Sequence, residues 1–329
     1  MKAFTNASPK DLAHALTVIS EARQAGHSVA IAGGGSDLLG MMKERLVTPD
    51  VLVSLKAIKG LDQVQPTGAG LTIGGQITLD ALARDPQIRS RYTVLAEAAE
   101  TVATPQIRNV GTLAGNVCQR PWCWYYRNGF NCLKNGGTTC YSVTGENTFH
   151  AIFGGGPSYI VHPSDTAPAL VALDATFRIA GPNSERMVPA ADFFTLPKDD
   201  ASRENVLKDG EVLAAIVLPT ARAGMRSAYH KVMDREAWTH AIVSAAVSLE
   251  LSGDVCRGAR IVLGGVAPIP WRLPEVEKLL AGQRITPELA ARAGQTAVAG
   301  ARPLAKNGYK IPMVQAMVSR TVLSLAAPA

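Results

Sequence analysis

Apolar positions fall into helical register near the start of the chain, where Leu12, Leu16 and Ile19 would share one face. Ser8 is placed to cap this helix, with Pro9 at its first position, Asp11 in its first turn and Gly26 as its stop. A short apolar run from Ser28 to Ile31 predicts a strand. It leads into the glycine-rich stretch Ala32-Gly33-Gly34-Gly35-Ser36-Asp37 and then Leu38-Leu39. Further strands are predicted at Val51 to Leu55 and Gly70 to Thr78, with helices near Leu79 to Arg84 and Thr93 to Val102. The first hundred residues therefore alternate strand and helix.

Between Arg108 and Pro163 the periodicity disappears and Asn, Gly, Cys and aromatic residues take over, the mark of an elaborated functional loop region. Beyond it, Ala169 to Ala180 and Glu211 to Leu218 read as strands, and Pro219 to Gly224 as a linker. Strands follow at Ala228 to Val232, Ala241 to Leu251 and Ala259 to Leu263. Helices then take over near Pro274 to Leu280, Pro287 to Val298 and Met313 to Leu325. Strands first and helices later predict a separate α+β domain. The sequence has no internal repeat.

At 329 residues the chain exceeds what one core can serve, so two or three domains are expected. Hydrophobic residues at 47% and charged residues at 18% exclude extensive disorder. No apolar run approaches the roughly 18 residues that a membrane span needs. The first residues run straight into the helix without a signal-peptide core or twin-arginine pair, which predicts cytoplasmic assembly, export on a partner's signal being the remaining route. The net charge of +6 is scattered among acids, not gathered in a basic stripe, so nucleic acid is not an expected partner.

Gly33 to Gly35 follow a strand, where backbone amides can approach a phosphate because glycine carries no Cβ. Neither familiar nucleotide fingerprint is complete. Leu38 stands where a dinucleotide motif needs its third glycine, and Met41-Met42 follow Gly40 where a P-loop needs lysine and a hydroxyl. Alone, this stretch is equally a tight strand-to-helix turn. A second small-residue segment, Arg108 to Asn116, adds hydroxyl and amide donors suited to a pyrophosphate or ribityl chain.

With both segments in view, the sequence resembles the FAD-binding medium subunits of the xanthine dehydrogenase, carbon monoxide dehydrogenase and aldehyde oxidoreductase family. Ala32, Gly33, Gly34, Gly35, Ser36, Asp37 and Leu38 look like the first FAD loop, and Gly111, Thr112, Gly115 and Asn116 like the second. The family usually has two glycines where Ala114-Gly115 stand. The resemblance continues through His162 to Leu170, where it implies that Asp165 faces the flavin's polar chain, and it implies that Leu213 and Lys231 approach the isoalloxazine. Val262 to Arg272 resembles the C-terminal domain of the same subunits.

What the resemblance implies for the fold is an α+β chain. Residues 1–221 would form a two-part FAD-binding domain of the PCMH type, a small βαβ-like subdomain at about 1–56 and a larger α+β subdomain at 57–221, followed by a C-terminal α+β domain over 222–329.

Four of the five cysteines, Cys118, Cys123, Cys132 and Cys140, fall within 23 residues, separated by gaps of four, eight and seven. Without a secretory signal, a metal site is the better reading than disulfides. Zinc prefers paired Cys-x2-Cys knuckles, which are absent, and a four-iron cluster accepts thiolates from irregular loops, so the cluster reading leads with zinc as the alternative. A minority of the family resembles this chain in carrying a cysteine-rich insertion, here about 117–150, that ligates a [4Fe-4S] cluster. Gln119-Arg120-Pro121 looks closest to the aldehyde oxidoreductase type. Trp122, Trp124, Tyr125 and Tyr126 would shield the cluster or simply pack the loop. Cys256 is expected to be an ordinary thiol, and His150 and His162, lacking a ligand at metal-like spacing, are given structural roles.

The resemblance implies an oxidoreductase subunit. Electrons would arrive from a large molybdenum-cofactor subunit through a small subunit with two [2Fe-2S] clusters, pass to FAD here, and leave to an external acceptor. No catalytic residue beyond the flavin is expected in this chain. A stand-alone FAD oxidase and a zinc-stapled nucleotide-binding module are the competing readings.

Overall fold

A computed structural model describes residues 1–182, 184–237 and 239–327. The chain builds three sheets. Strands β1 (Thr5–Ala7), β2 (Val29–Ala32) and β3 (Val51–Ser54) form a small parallel sheet in the order β1-β3-β2. The helix Leu12–Gln24 crosses from β1 to β2 and buries Ala15 and Ile19 against Val53 and Leu55. Its cap is Asp11, whose carboxylate accepts the His14 N–H at 2.8 Å, and not Ser8. The short edge strand β1 reaches Ala7, so Ser8 and Pro9 are spent on the turn between strand and helix. Gly26, at φ +80°, ends the helix as expected.

The second sheet holds β4 (Val64–Thr67), β5 (Gly70–Gly74), β6 (Thr176–Ala180), β7 (Glu185–Pro189) and β8 (Val212–Pro219). Their order is β4-β5-β8-β6-β7, every pair antiparallel. Its inner face, including Leu71, Ile73, Phe177 and Ile216, shares one core with the helices Leu79–Arg84, Thr93–Glu100 and Thr166–Ala172. That last helix corrects the strand expected from Ala169 to Ala180: the chain is helical to Ala172, turns at Asp174 with φ +51°, and only then enters β6. All seven residues of the helix are buried, so it has no polar face from which a helical period could be read.

The third sheet, β9 (Met225–Val232), β10 (Val243–Ser252), β11 (Val255–Gly264) and β12 (Trp271–Arg272), is antiparallel in the order β12-β11-β10-β9. The helices Pro274–Leu280, Pro287–Thr296 and Lys310–Ala326 cover one face, where Val247, Leu249, Ile261 and Leu263 meet Val314, Val318 and Val322. The opposite face sends Tyr229, Ala246 and Val262 into the core of the second sheet. Alternation along β10 and β11 therefore ties the two larger units together.

Between them, residues 104–165 carry the helices Pro105–Arg108, Leu113–Val117 and Trp124–Arg127 and two single 3-10 turns, and no named strand among the described residues. This is the irregular region expected from the composition.

Candidate functional site

Strand β2 ends at the buried Ala32 and delivers the chain to Gly33. The glycines are demanded by contact with the second loop. A Cβ on Gly34 would stand 1.7 Å from the Val110 carbonyl oxygen, and one on Gly33 would stand 2.5 Å from Thr112 Oγ1. Gly35 adopts φ +75°, and Ser36 Oγ lies 3.6 Å from where a Gly111 side chain would begin. Leu38 is half-buried and packs toward Met42 and Leu52.

The second loop is held by its own bonds. Leu79 N–H donates to Gly111 O at 2.9 Å, and Thr112 Oγ1 caps the helix Leu113–Val117 by accepting the Gly115 N–H at 3.2 Å. Ala114 N–H donates to Gly75 O at 2.9 Å. A side chain on Gly75 would meet Leu213 O at 2.6 Å and the Ala114 methyl at 3.0 Å, so Gly75 makes room for that methyl. Leu213 is buried on β8, beside the bulge between Arg178 and Ile179. The result is a bed of backbone nearly free of side chains, with helix N-terminal amides beside it. This chemistry fits the phosphates and polyol of a dinucleotide.

Behind the bed, buried Asn116 accepts hydroxyl protons from Ser164 and Thr166, each at 2.6 Å through Oδ1, so its amide N–H is the side left to offer a ligand. Between those two hydroxyls sits Asp165. Its Oδ2 pairs with Lys231 Nζ at 2.7 Å, its Oδ1 accepts the Tyr229 hydroxyl at 2.7 Å, and Lys231 also donates to Thr101 O at 3.0 Å. Burial, followed by the Asp165 charge, holds Tyr229 well above the usual phenol range, so it remains a donor. Asp165 and Lys231 thus spend their charges on each other across the joint between units.

The Asp37 carboxylate turns to the cysteine-rich segment, where it accepts from Arg127 Nη2 at 2.8 Å and from Arg120 N–H at 3.3 Å.

The cysteines divide. Cys118 ends the helix Leu113–Val117 and packs against the core of the second sheet, and burial alone pushes its thiol up to about 12. Cys123 and buried Cys132 belong to another cluster, with Met41 and Tyr126. Burial pushes Cys123 up to about 11, opposed by the amides of Tyr126 and Tyr125, while Cys140 and Cys132 lie near enough to add repulsion. His150 Nε2 stands 3.4 Å from Cys123 Sγ, and Cys140 Sγ is 3.1 Å from Ser142 Oγ and 3.5 Å from Tyr159 N. No group of three or more His, Cys, Asp or Glu among the described residues is gathered closely enough to hold a metal ion. Cys256 is buried in the C-terminal core, as an ordinary thiol would be.

His162 accepts from Ser164 N–H at 3.3 Å and sets its ring edge-to-face on Phe194, and burial holds its pKa down to about 3. Sequence reasoning missed Gly75, Tyr229, Arg127 and the approach of His150 to Cys123. Of these only Gly75 had a local signal, the Gly74-Gly75 pair at a strand end.

Residues 2–221 match the family model of the FAD binding domain in molybdopterin dehydrogenase, and 228–325 match the CO dehydrogenase flavoprotein C-terminal domain. The chain belongs to the FAD-binding subunits of the molybdenum hydroxylase family. The FAD-binding subunit of aldehyde oxidoreductase from Escherichia coli is 34% identical over 301 residues, 90% of each chain. The carbon monoxide dehydrogenase medium chain of Hydrogenophaga pseudoflava is 28% identical over 97% of this chain and 96% of its own. Among solved structures, a Cu,Mo-CO dehydrogenase in its cyanide-inactivated form superposes with a TM-score of 0.78 at 26% identity, covering 100% of both chains. As a member of this family of molybdenum hydroxylase flavoproteins, the chain is an FAD-binding oxidoreductase subunit.

Proposed function

We propose that the chain is the electron-transfer subunit of an aldehyde-oxidising molybdenum hydroxylase, with FAD held on Ala32 to Leu38, Gly111, Thr112, Gly115 and Asn116. The observation that carries this reading is the side-chain-free contact between the two loops, with Gly34 against Val110. Support for an aldehyde as substrate comes from the 34% identity to the aldehyde oxidoreductase subunit. When bound, a flavin exchanges electrons singly or in pairs. The protein's part is to present loop amides to the phosphates, with the Asp165–Lys231 pair, bonded at 2.7 Å and close to neutral as a unit, bracing the joint behind them. Leu213 supplies an apolar wall.

In this proposal the partners are a large molybdenum-cofactor subunit and a small subunit with two [2Fe-2S] clusters, with an external acceptor taking the electrons. The flavin unit covers 1–221 and the C-terminal domain 222–329. A [4Fe-4S] cluster on Cys118, Cys123, Cys132 and Cys140 belongs to the same proposal, supported by four cysteines within 23 residues and by the amides and imidazole around Cys123. Cys118 packs with a different core from Cys123 and Cys132, and no three of the four are gathered as ligands among the described residues, so the set would have to close around the cluster.

Purified protein tests both cofactors at once. One flavin and about four irons with acid-labile sulfide per chain are the expected result. Cys→Ser changes at the four positions should lower iron, and Cys256→Ser should not. Stoichiometric zinc without sulfide would favour a structural zinc site.

A further inference from the structure

We propose that the Asp37–Arg127 ion pair braces the glycine-rich loop, so that flavin retention depends on an arginine in the cysteine-rich segment, 90 residues along the chain. Asp37 stands at the N-terminus of the helix Leu38–Lys43 and makes no side-chain cap to it. Both oxygens cross instead to partners 83 and 90 residues away, Arg120 N–H and Arg127 Nη2.

Arg127 is fixed before it meets Asp37. Its Nε donates to Pro121 O at 2.8 Å, its Nη2 donates to Arg120 O at 2.9 Å, and its guanidinium lies over the Trp122 ring at 4.3 Å. The pair is mostly out of water, with side-chain exposures of 13% for Arg127 and 18% for Asp37. The segment carrying Arg127 is in turn anchored to the body of the flavin unit. Arg120 and Lys134 both pair with buried Glu204, at 3.1 and 2.7 Å.

Apolar packing follows the same path. Met41, one turn beyond Asp37, shares a core with Tyr126 and Cys132, and the Tyr126 hydroxyl donates to Met41 Sδ at 3.7 Å. The braced elements could not hold their own shape. A six-residue helix is far below the length that is stable alone, and three successive glycines leave the loop before it with the widest conformational freedom. With Arg127 gone, Asp37 is left half-desolvated without its counter-charge. The cheapest response is rotation of Asp37 toward water, which carries Gly33 to Ser36 with it.

This inference rests on the reading that Gly33 to Ser36 holds the flavin. The test is the FAD dissociation constant of flavin-stripped protein, measured by titration with FAD for the wild type and four variants, with a thermal melt of each. Arg127→Met and Asp37→Asn should each weaken binding about tenfold or more, and the double variant should be no weaker than the worse single one, because the two residues act through one contact. Arg186→Met breaks the Arg186–Glu211 pair, bonded at 2.9 and 2.7 Å in the same unit but away from both loops, and should lower the melting temperature without changing the dissociation constant. Wild-type affinity in Arg127→Met, or an equal loss in Arg186→Met, overturns the brace. Should Arg127→Met fail to fold, Arg127→Gln against Arg186→Met decides, since Asp37 itself lies in the loop read as the flavin site. A wild type that retains no FAD overturns the flavin site itself, a separate outcome.

Discussion

Gly34 tolerates no side chain, because any Cβ would overlap the carbonyl of Val110 in the neighbouring loop. Gly34→Val should therefore separate the loops and abolish flavin retention, read from the visible flavin absorbance of the purified variant, while the distant C-terminal core keeps its circular dichroism. His162 supplies a pH-dependent test. Burial holds it down to about 3, whereas in the unfolded chain it titrates near the ordinary imidazole value of 6.5. Between those values the unfolded state takes up a proton that the folded state refuses, so stability must fall as pH drops from about 6.5 toward about 3. Thermal melts of His162→Gln should show a shallower acid slope than the wild type. The glycines could be found from sequence because a strand leading into Gly-Gly-Gly is a local signal. Arg127 could not, since its partner lies 90 residues away and no spacing announces it.

Among elements, period and punctuation located most strands and the four longest helices, and failed on most of the short helices and where burial erased the pattern. The helix Thr166–Ala172 is apolar all round and passed for a strand. Strand β1, three residues with exposed Thr5 and Asn6, is made by pairing with β3 and has no pattern of its own. Strand β9 carries the element most sensitive to charge, for Lys231 reaches across to Asp165 with both side chains almost fully buried. Lys231→Met would strand a buried carboxylate and should cost about 3–5 kcal/mol in denaturant unfolding. Adding Asp165→Asn should recover part of that loss, because the uncompensated charge is gone.

Across the whole molecule, the third sheet is buried on both faces, one in its own helical core and the other in the core of the flavin unit. That shared packing holds Asp165 of one unit against Lys231 of the other. No helix among the described residues is long and apolar enough to cross a membrane. The family and its two-domain order were legible because five short motifs occur in sequence along nearly the whole chain. The cluster was less so, since cysteine spacing says which thiols are near in sequence and nothing of how Cys118 packs. On the proposed function, this chain holds the flavin but receives its electrons from partners. The test is anaerobic addition of an aldehyde, with flavin absorbance followed in the isolated chain and in the complex co-expressed with its genetic neighbours. The flavin should bleach in the complex and stay oxidised in the isolated chain; bleaching of the isolated chain at the complex's rate would show that it needs no partner.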